Sequence, residues 1–402
     1  MMTSARTSRH DERLGRVDDL IGRSCEIAAS HANRTRGRTY PAAIFTLEDP
    51  IASAQIFDYD VNHYFEDPLF YVEQTLRQKI WRWETFPEDE LPFSADLPAW
   101  LGYYPEFTFV GLEVTFGRDG VPFIQTDHPL TRDPDCKLLH PVDFKTSGWM
   151  PRILRWWDDI NEIIAGRLGT TFEMIWWRGC LDLAIQLRGY DRLMLDIKER
   201  PGFVHDLLGF LTEQRMLWYE GYYRHLGLQV QPGTVADDWI NIPFISPRIF
   251  TEFVLPRYRE IEAYHGRIVS VHSCGNQTPI QRSLLEIETL ETVECSPWTD
   301  LVATVRNVPS DKHLQVALHP NDVLFATPEQ METKLRAIAD TCEGRHYDIN
   351  TSGLTPILET VDAYISQIRT WQVIAQKVLE DRRRLTVERT DNAGEHRAFH
   401  CN

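Results

Sequence analysis

The stretch that decides the fold is RIVSVHSCGNQTPI, residues 267–280. A β-branched apolar run ends in His272-Ser273-Cys274 and a glycine, and a helical pattern follows over 278–286. The segment before it, ISPRIFTEFVLPRYREIEAYH (245–265), has helical periodicity, and ETVECS (291–296) after it reads as strand again. The same alternation extends in both directions. TTFEMIWWR (170–178) is β-rich, LDLAIQLRGYDRLMLDI and residues 201–225 are helical, and GTVADDW (233–239) is a short strand. Further on, HLQVALHP (313–320), the helix PEQMETKLRAIADTC and HYDINTSG (346–353) complete the series. Strand and helix alternating at short intervals build parallel βαβ units. That many units in the second half point to an α/β chain folded as a (β/α)8 TIM-type barrel. An open dinucleotide-binding sheet is disfavoured, because no GxGxxG turn follows any strand.

The first half is less regular. Residues 60–84 read as an aromatic helix, and 105–125 as short strands with turn signals at Gly117 and Gly120, so the barrel carries N-terminal helical additions. Residues 1–40 are polar and Arg-rich, expected as a partly disordered leader with a helix near 12–29; residues 41–379 form the barrel domain and 380–402 a polar tail.

Composition excludes several classes of function. The chain has 402 residues and a net charge of −17, which argues against nucleic acid or an anionic membrane surface as partner. No apolar segment is long enough to span a bilayer, and the opening residues lack the apolar stretch of a secretory signal. Seven cysteines (25, 136, 180, 274, 295, 342 and 401) form no CxxC pair, the pattern of a reduced, cytoplasmic protein. Oligomeric state is not legible.

Active sites of such barrels gather at the C-terminal strand ends. Read in order, these ends carry Asp237-Asp238, His272 with Cys274, Glu294-Cys295, His319, and Asn350 with Ser352. His272 and Cys274 share one face of their strand, because side chains alternate with period two, and Glu294 arrives from the next strand. Imidazole, thiolate and carboxylate suit zinc, with iron or cobalt left open by ligand type. The alternative is a satisfied core histidine beside an inert buried cysteine. Cys295 and Glu294 are adjacent, so only one of them can face the site. Asp237 and Asp238 read either as catalytic carboxylates or as N-caps of the next helix. Arg178 reads either as an anchor for a substrate carboxylate or as the partner of a protein one. His319 lines the pocket or stabilises a turn, and Asn276 supports the ligand loop.

VHSCGN, the block DDWINIPFISPRIFTEFVLPRY and the stretch LRGYDRLMLDIKERPGFVHDLL resemble the uroporphyrinogen decarboxylase superfamily over about residues 55–375. The resemblance implies a (β/α)8 barrel and, through HxCG, the zinc-dependent methyltransferase branch rather than the decarboxylases proper. It implies His272 and Cys274 as zinc ligands, with Glu294 in ETVECSPWTD as a third. It further implies methyl transfer from a corrinoid, a folate or a small methylated donor to a thiol-like acceptor. With no DxHxxG sequence in the chain, a corrinoid must come on a separate carrier protein. INTSGL matches the last ligand strand, but Ser352 stands where those enzymes have cysteine. Asn350 and Ser352, with Arg178 and Asn276, are the candidates for the substrate side. The Arg-rich motif of the decarboxylases proper has no counterpart near PAAIFTLEDP. Two other functions stay open: a decarboxylase or other lyase acting on a small carboxylate, and a non-catalytic binding barrel.

Overall fold

The computed structural model of the chain describes residues 2–32, 41–47, 50–89, 91–102, 104–117, 122–173, 175–351 and 353–398, with side chains from 11–30 and up to 383. Its barrel strands are β1 (Ala43–Ile44), β2 (Leu97–Ala99), β3 (Thr170–Phe172), β4 (Gly233–Ala236), β5 (Ile268–His272), β6 (Thr292–Cys295), β7 (His313–Leu318) and β8 (Tyr347–Thr351). Six of them make one sheet in the order β1-β8-β7-β6-β5-β4, and β2 pairs with β3. Every one of these pairings is parallel. A parallel bridge between Arg178 and Ala236 carries the chain beyond β3 onto β4. The strands therefore run in sequence around a (β/α)8 barrel. Helix Pro68–Thr85 spans the step between β1 and β2, with Arg82 Nη2 donating to Phe45 O at 2.9 Å and Tyr71 Oη to Pro98 O at 2.6 Å.

The second half follows its sequence pattern closely. Helix Pro201–Leu226 ends at Gly227 in the left-handed region (φ 66°), and Pro328–Thr341 opens on a capping box between Thr327 and Gln330. The helix read over 245–265 winds more loosely through a π turn, Phe250–Val254, before continuing as Leu255–His265. Pro256, with no N–H to donate, lies just beyond that turn.

The first half departs from its reading. Pro105 starts a short helix, Pro105–Phe109, where strand was expected, and the strands that follow, Glu113–Phe116 and Pro122–Gln125, form an antiparallel hairpin outside the barrel. The helix expected near 12–29 extends over Met2–Ala32 and packs on helix Pro68–Thr85. Val17, Ile21 and Ser24 are buried, and Arg13 and Arg16 reach Asp67 and Glu73 at 2.6 and 2.8 Å. That buried stripe was obscured by the arginines around it. The last helix, Val361–Ala398, crosses the boundary expected at 380 without a break. No helix among the described residues is long and apolar enough to cross a membrane.

Candidate metal centre

Main-chain bonds bring four strand ends into line. Ala236 N donates to Trp177 O at 2.9 Å, and Asp237 N donates to His272 O at 2.9 Å. Ser270 pairs with Thr292, so two residues further along the pleat His272 and Glu294 come side by side.

His272 is the hub. Its Nδ1 meets Glu294 Oε2 at 2.6 Å, and its Nε2 faces Cys274 Sγ at 3.3 Å and Asp238 Oδ1 at 3.6 Å. Asp238, His272 and Cys274 each place one ligand atom within 4.8 Å of the others. Burial pulls the His272 pKa down, but the Cys274 and Glu294 contacts override it and lift it to about 10.

Asp238 is held from behind. Arg178 Nη1 donates to Asp238 Oδ2 at 2.5 Å and to Asp182 Oδ2 at 2.7 Å, and the guanidinium stacks over Tyr104 at 4.5 Å. Glu106 accepts from Arg178 N at 3.0 Å. Burial would raise the Asp238 pKa, but Arg178, Cys274 and His272 together hold it below the ordinary carboxyl value. Burial pushes Glu106 and Asp182 up instead. The second oxygen, Asp238 Oδ1, is buried and, among the described residues, meets no main-chain or basic donor at hydrogen-bond distance, facing only Cys274 and His272 Nε2. A carboxylate oxygen aimed at an imidazole nitrogen and a thiol is a donor set that fits a divalent cation.

Asp237 takes the opposite direction. It is fully buried, and its Oδ2 accepts from Leu181 N and Tyr258 Oη, both at 3.1 Å. It thereby closes the N-terminus of helix Cys180–Arg188, and burial raises its pKa well above the ordinary value. Gly179 lies so close that a Cβ there would sit 2.3 Å from Asp237 Oδ2. Cys295 also turns away, buried and bonded toward Thr304, so on β6 it is Glu294 that faces the barrel.

The other expected residues lie around this hub. Arg178 has its guanidinium engaged by protein carboxylates. His319 Nδ1 accepts from Asn321 N at 3.1 Å and the ring packs edge-on to Trp298. Asn276 accepts from Thr278 N through its side chain and from Ile242 N through its carbonyl, tying the ligand loop to the segment after β4. Asn350 Oδ1 is buried without a partner on β8, and Ser352 lies outside the described residues.

Sequence reasoning missed Glu106, Asp182 and Trp177. Asp182 was findable, because it lies four residues after Arg178 at the start of a helical pattern. Glu106 belongs to the irregular first half and gave no such signal. The Trp177 ring lies 6.4 Å from the His272 ring and forms part of the wall of a cavity of about 680 Å³. Tyr71, Trp81, Trp100, Lys79 and Glu173 line it as well. Burial lowers the Lys79 pKa from 10.5 to about 8.

A parallel eight-stranded barrel with a histidine, a cysteine and carboxylates at its C-terminal rim defines the class. The chain belongs to the uroporphyrinogen decarboxylase family, whose model matches residues 105–358. Its structure is similar to that of a methyltransferase from Methanosarcina mazei, with a TM-score of 0.60, 15% identity, and coverage of 84% of this chain and 93% of that one. At that identity the likeness is one of fold. No curated protein matches the chain in sequence.

Proposed function

We propose that this chain is a metal-dependent methyltransferase that moves a methyl group from a small methylated donor, a folate or a corrinoid on a separate carrier protein to a thiol-like acceptor. The observation that carries the reading is the convergence of His272 Nε2, Cys274 Sγ and Asp238 Oδ1, with Trp177 between His272 and an aromatic cavity. His272 and Cys274, with a carboxylate from Asp238 or Glu294, would hold the ion. When bound, zinc supplies the positive charge that favours the thiolate form of the acceptor.

The chain's own residues do the rest. Arg178 fixes Asp238 at the rim, and Glu294 fixes the ring of His272. Trp177, beside the His272 ring, and Trp100 line the adjoining cavity with apolar surface for a substrate to pack against. Asn350 and Ser352 are assigned to the substrate side and His319 to the rim as a support, while Asp237 supports the rim only from the buried layer beneath it. In the transfer, the acceptor sulfur lone pair forms the new S–CH3 bond, and the donor keeps the electron pair of the bond that breaks. The thiol proton leaves to solvent. Trp177, Phe244, Trp298 and Phe325, on loops after four strands, are exposed, which suits a bulky donor presented from outside.

A second reading, a lyase acting on a small carboxylate, draws support from the Lys79 amine in the cavity wall. One experiment separates the two. Purified chain loaded with zinc is incubated with methylcobalamin and a panel of thiols, with loss of methylcobalamin followed by absorbance. Thiol-dependent turnover that disappears in Cys274→Ala supports methyl transfer. Carbon dioxide release from small carboxylates, with no methyl transfer, supports the lyase.

A further inference from the structure

We infer that the carboxylate ligand of the ion is Asp238, from the end of β4, and that Glu294 is a positioning residue that holds the far side of the His272 ring. This rests on the metal reading of the site and departs from the ligand set expected from the sequence, His272, Cys274 and Glu294.

The argument is one of separations. Ligand atoms bound to one tetrahedral ion at about 2.0–2.3 Å lie about 3.3–3.8 Å from one another. His272 Nε2 lies 3.3 Å from Cys274 Sγ and 3.6 Å from Asp238 Oδ1, both suited to edges of such a tetrahedron. Glu294 Oε2 lies 2.6 Å from Nδ1, a hydrogen-bond length and too short for two donors on one ion. It also meets the opposite ring nitrogen from the one that faces Cys274. A carboxylate on Nδ1–H fixes the tautomer that leaves Nε2 free as a ligand and raises its basicity. Asp238 has the complementary arrangement: Oδ2 is taken by Arg178, while Oδ1 is buried and faces only the two other ligand groups, His272 Nε2 and Cys274. The structure thus replaces an absent second thiolate with an oxygen from a neighbouring strand, and the protein ligands carry two negative charges against the two positive charges of zinc.

The test uses the full chain with zinc and cobalt(II) as probes. Zinc affinity is measured by competition with a chromophoric chelator for wild type, Asp238→Asn and Glu294→Gln. The visible spectrum of each cobalt form is recorded alongside. Wild type is expected to bind one ion. Asp238→Asn should lose more than about 100-fold in affinity and shift the cobalt bands. Glu294→Gln should lose only about 10–100-fold, the range for a group behind a ligand, and leave the bands in place. In wild type labelled with 15N-histidine, zinc should move the Nε2 resonance of His272 while Nδ1 stays protonated, a readout that needs no variant to fold. If Glu294→Gln shifts the bands and Asp238→Asn does not, or if zinc removes the proton from Nδ1 and leaves Nε2 protonated, Glu294 is the ligand and the inference is overturned. If wild type takes up no metal, the proposed function falls along with it.

Discussion

Two layers of the barrel meet at consecutive residues. In the lower layer Asp237 is sealed from solvent, accepts bonds from Leu181 N and Tyr258 Oη, and serves the packing of a helix. In the upper layer Asp238 stands at the rim, with one oxygen on Arg178 and the other turned toward His272 and Cys274. The residue type is the same, and only the direction in which the backbone sends each side chain differs. A carboxylate on the inner layer is spent on satisfying donors. One residue later it is available for chemistry.

The largest effect that would sharpen this contrast lies at the rim. Cys274→Ala should reduce zinc content from about one equivalent to a small fraction and abolish thiol-dependent methyl transfer, with far-UV circular dichroism unchanged. Retention of the full zinc content would remove Cys274 from the ligand set. Next is the aspartate pair. Asp238→Asn should lower turnover by at least about 100-fold, whereas Asp237→Asn should change it less than about 3-fold, because an amide oxygen can still accept from Leu181 N and Tyr258 Oη. Equal losses in the two variants would erase the distinction between the layers. Smaller, and in stability alone, is Asp237→Ala. Two donors stranded in the interior should cost about 1–3 kcal/mol each, read from urea midpoints.

The smallest effect concerns the cavity wall. In the fold the Lys79 ammonium titrates at about 8 rather than 10.5. Below that window the lysine is charged in both folded and unfolded chains, and its burial cost is constant. Within it the unfolded chain keeps a proton that the fold has lost, so stability rises with pH. Relative to Lys79→Met, wild type should therefore gain about 1–2 °C in Tm between pH 8 and 10.5. A flat difference across that range would mean that Lys79 is more solvated than its position implies.

The rim was legible in sequence to the extent that strand periodicity controls it. The adjacency of Glu294 and Cys295 meant that only one could face inward. His272 and Cys274, by contrast, meet at 3.3 Å although the strand ends at His272 and Cys274 lies in the bend beyond it, so a shared strand face is not what joins them. The same period-two reasoning could not rank Asp237 against Asp238, because β4 ends at Ala236 and the chain turns immediately afterward. Nor could it say which nitrogen of His272 Glu294 would meet, which depends on ring rotation. Glu106 was hidden for a different reason. It belongs to a short helix whose place beside Arg178 is set by tertiary packing, and no local spacing encodes that contact. The N-terminal helix was under-read because its buried stripe of Val17, Ile21 and Ser24 is narrow and bordered by arginines that pair with Asp67 and Glu73.

The most direct measurement of the central claim is X-ray absorption at the zinc edge of the metal-loaded full chain. The expected spectrum has a single sulfur at about 2.3 Å, from Cys274, with nitrogen and oxygen neighbours at about 2.0–2.2 Å from His272 and a carboxylate. A zinc shell with no sulfur, or a chain that takes up no zinc at all, would contradict a metal centre at this rim.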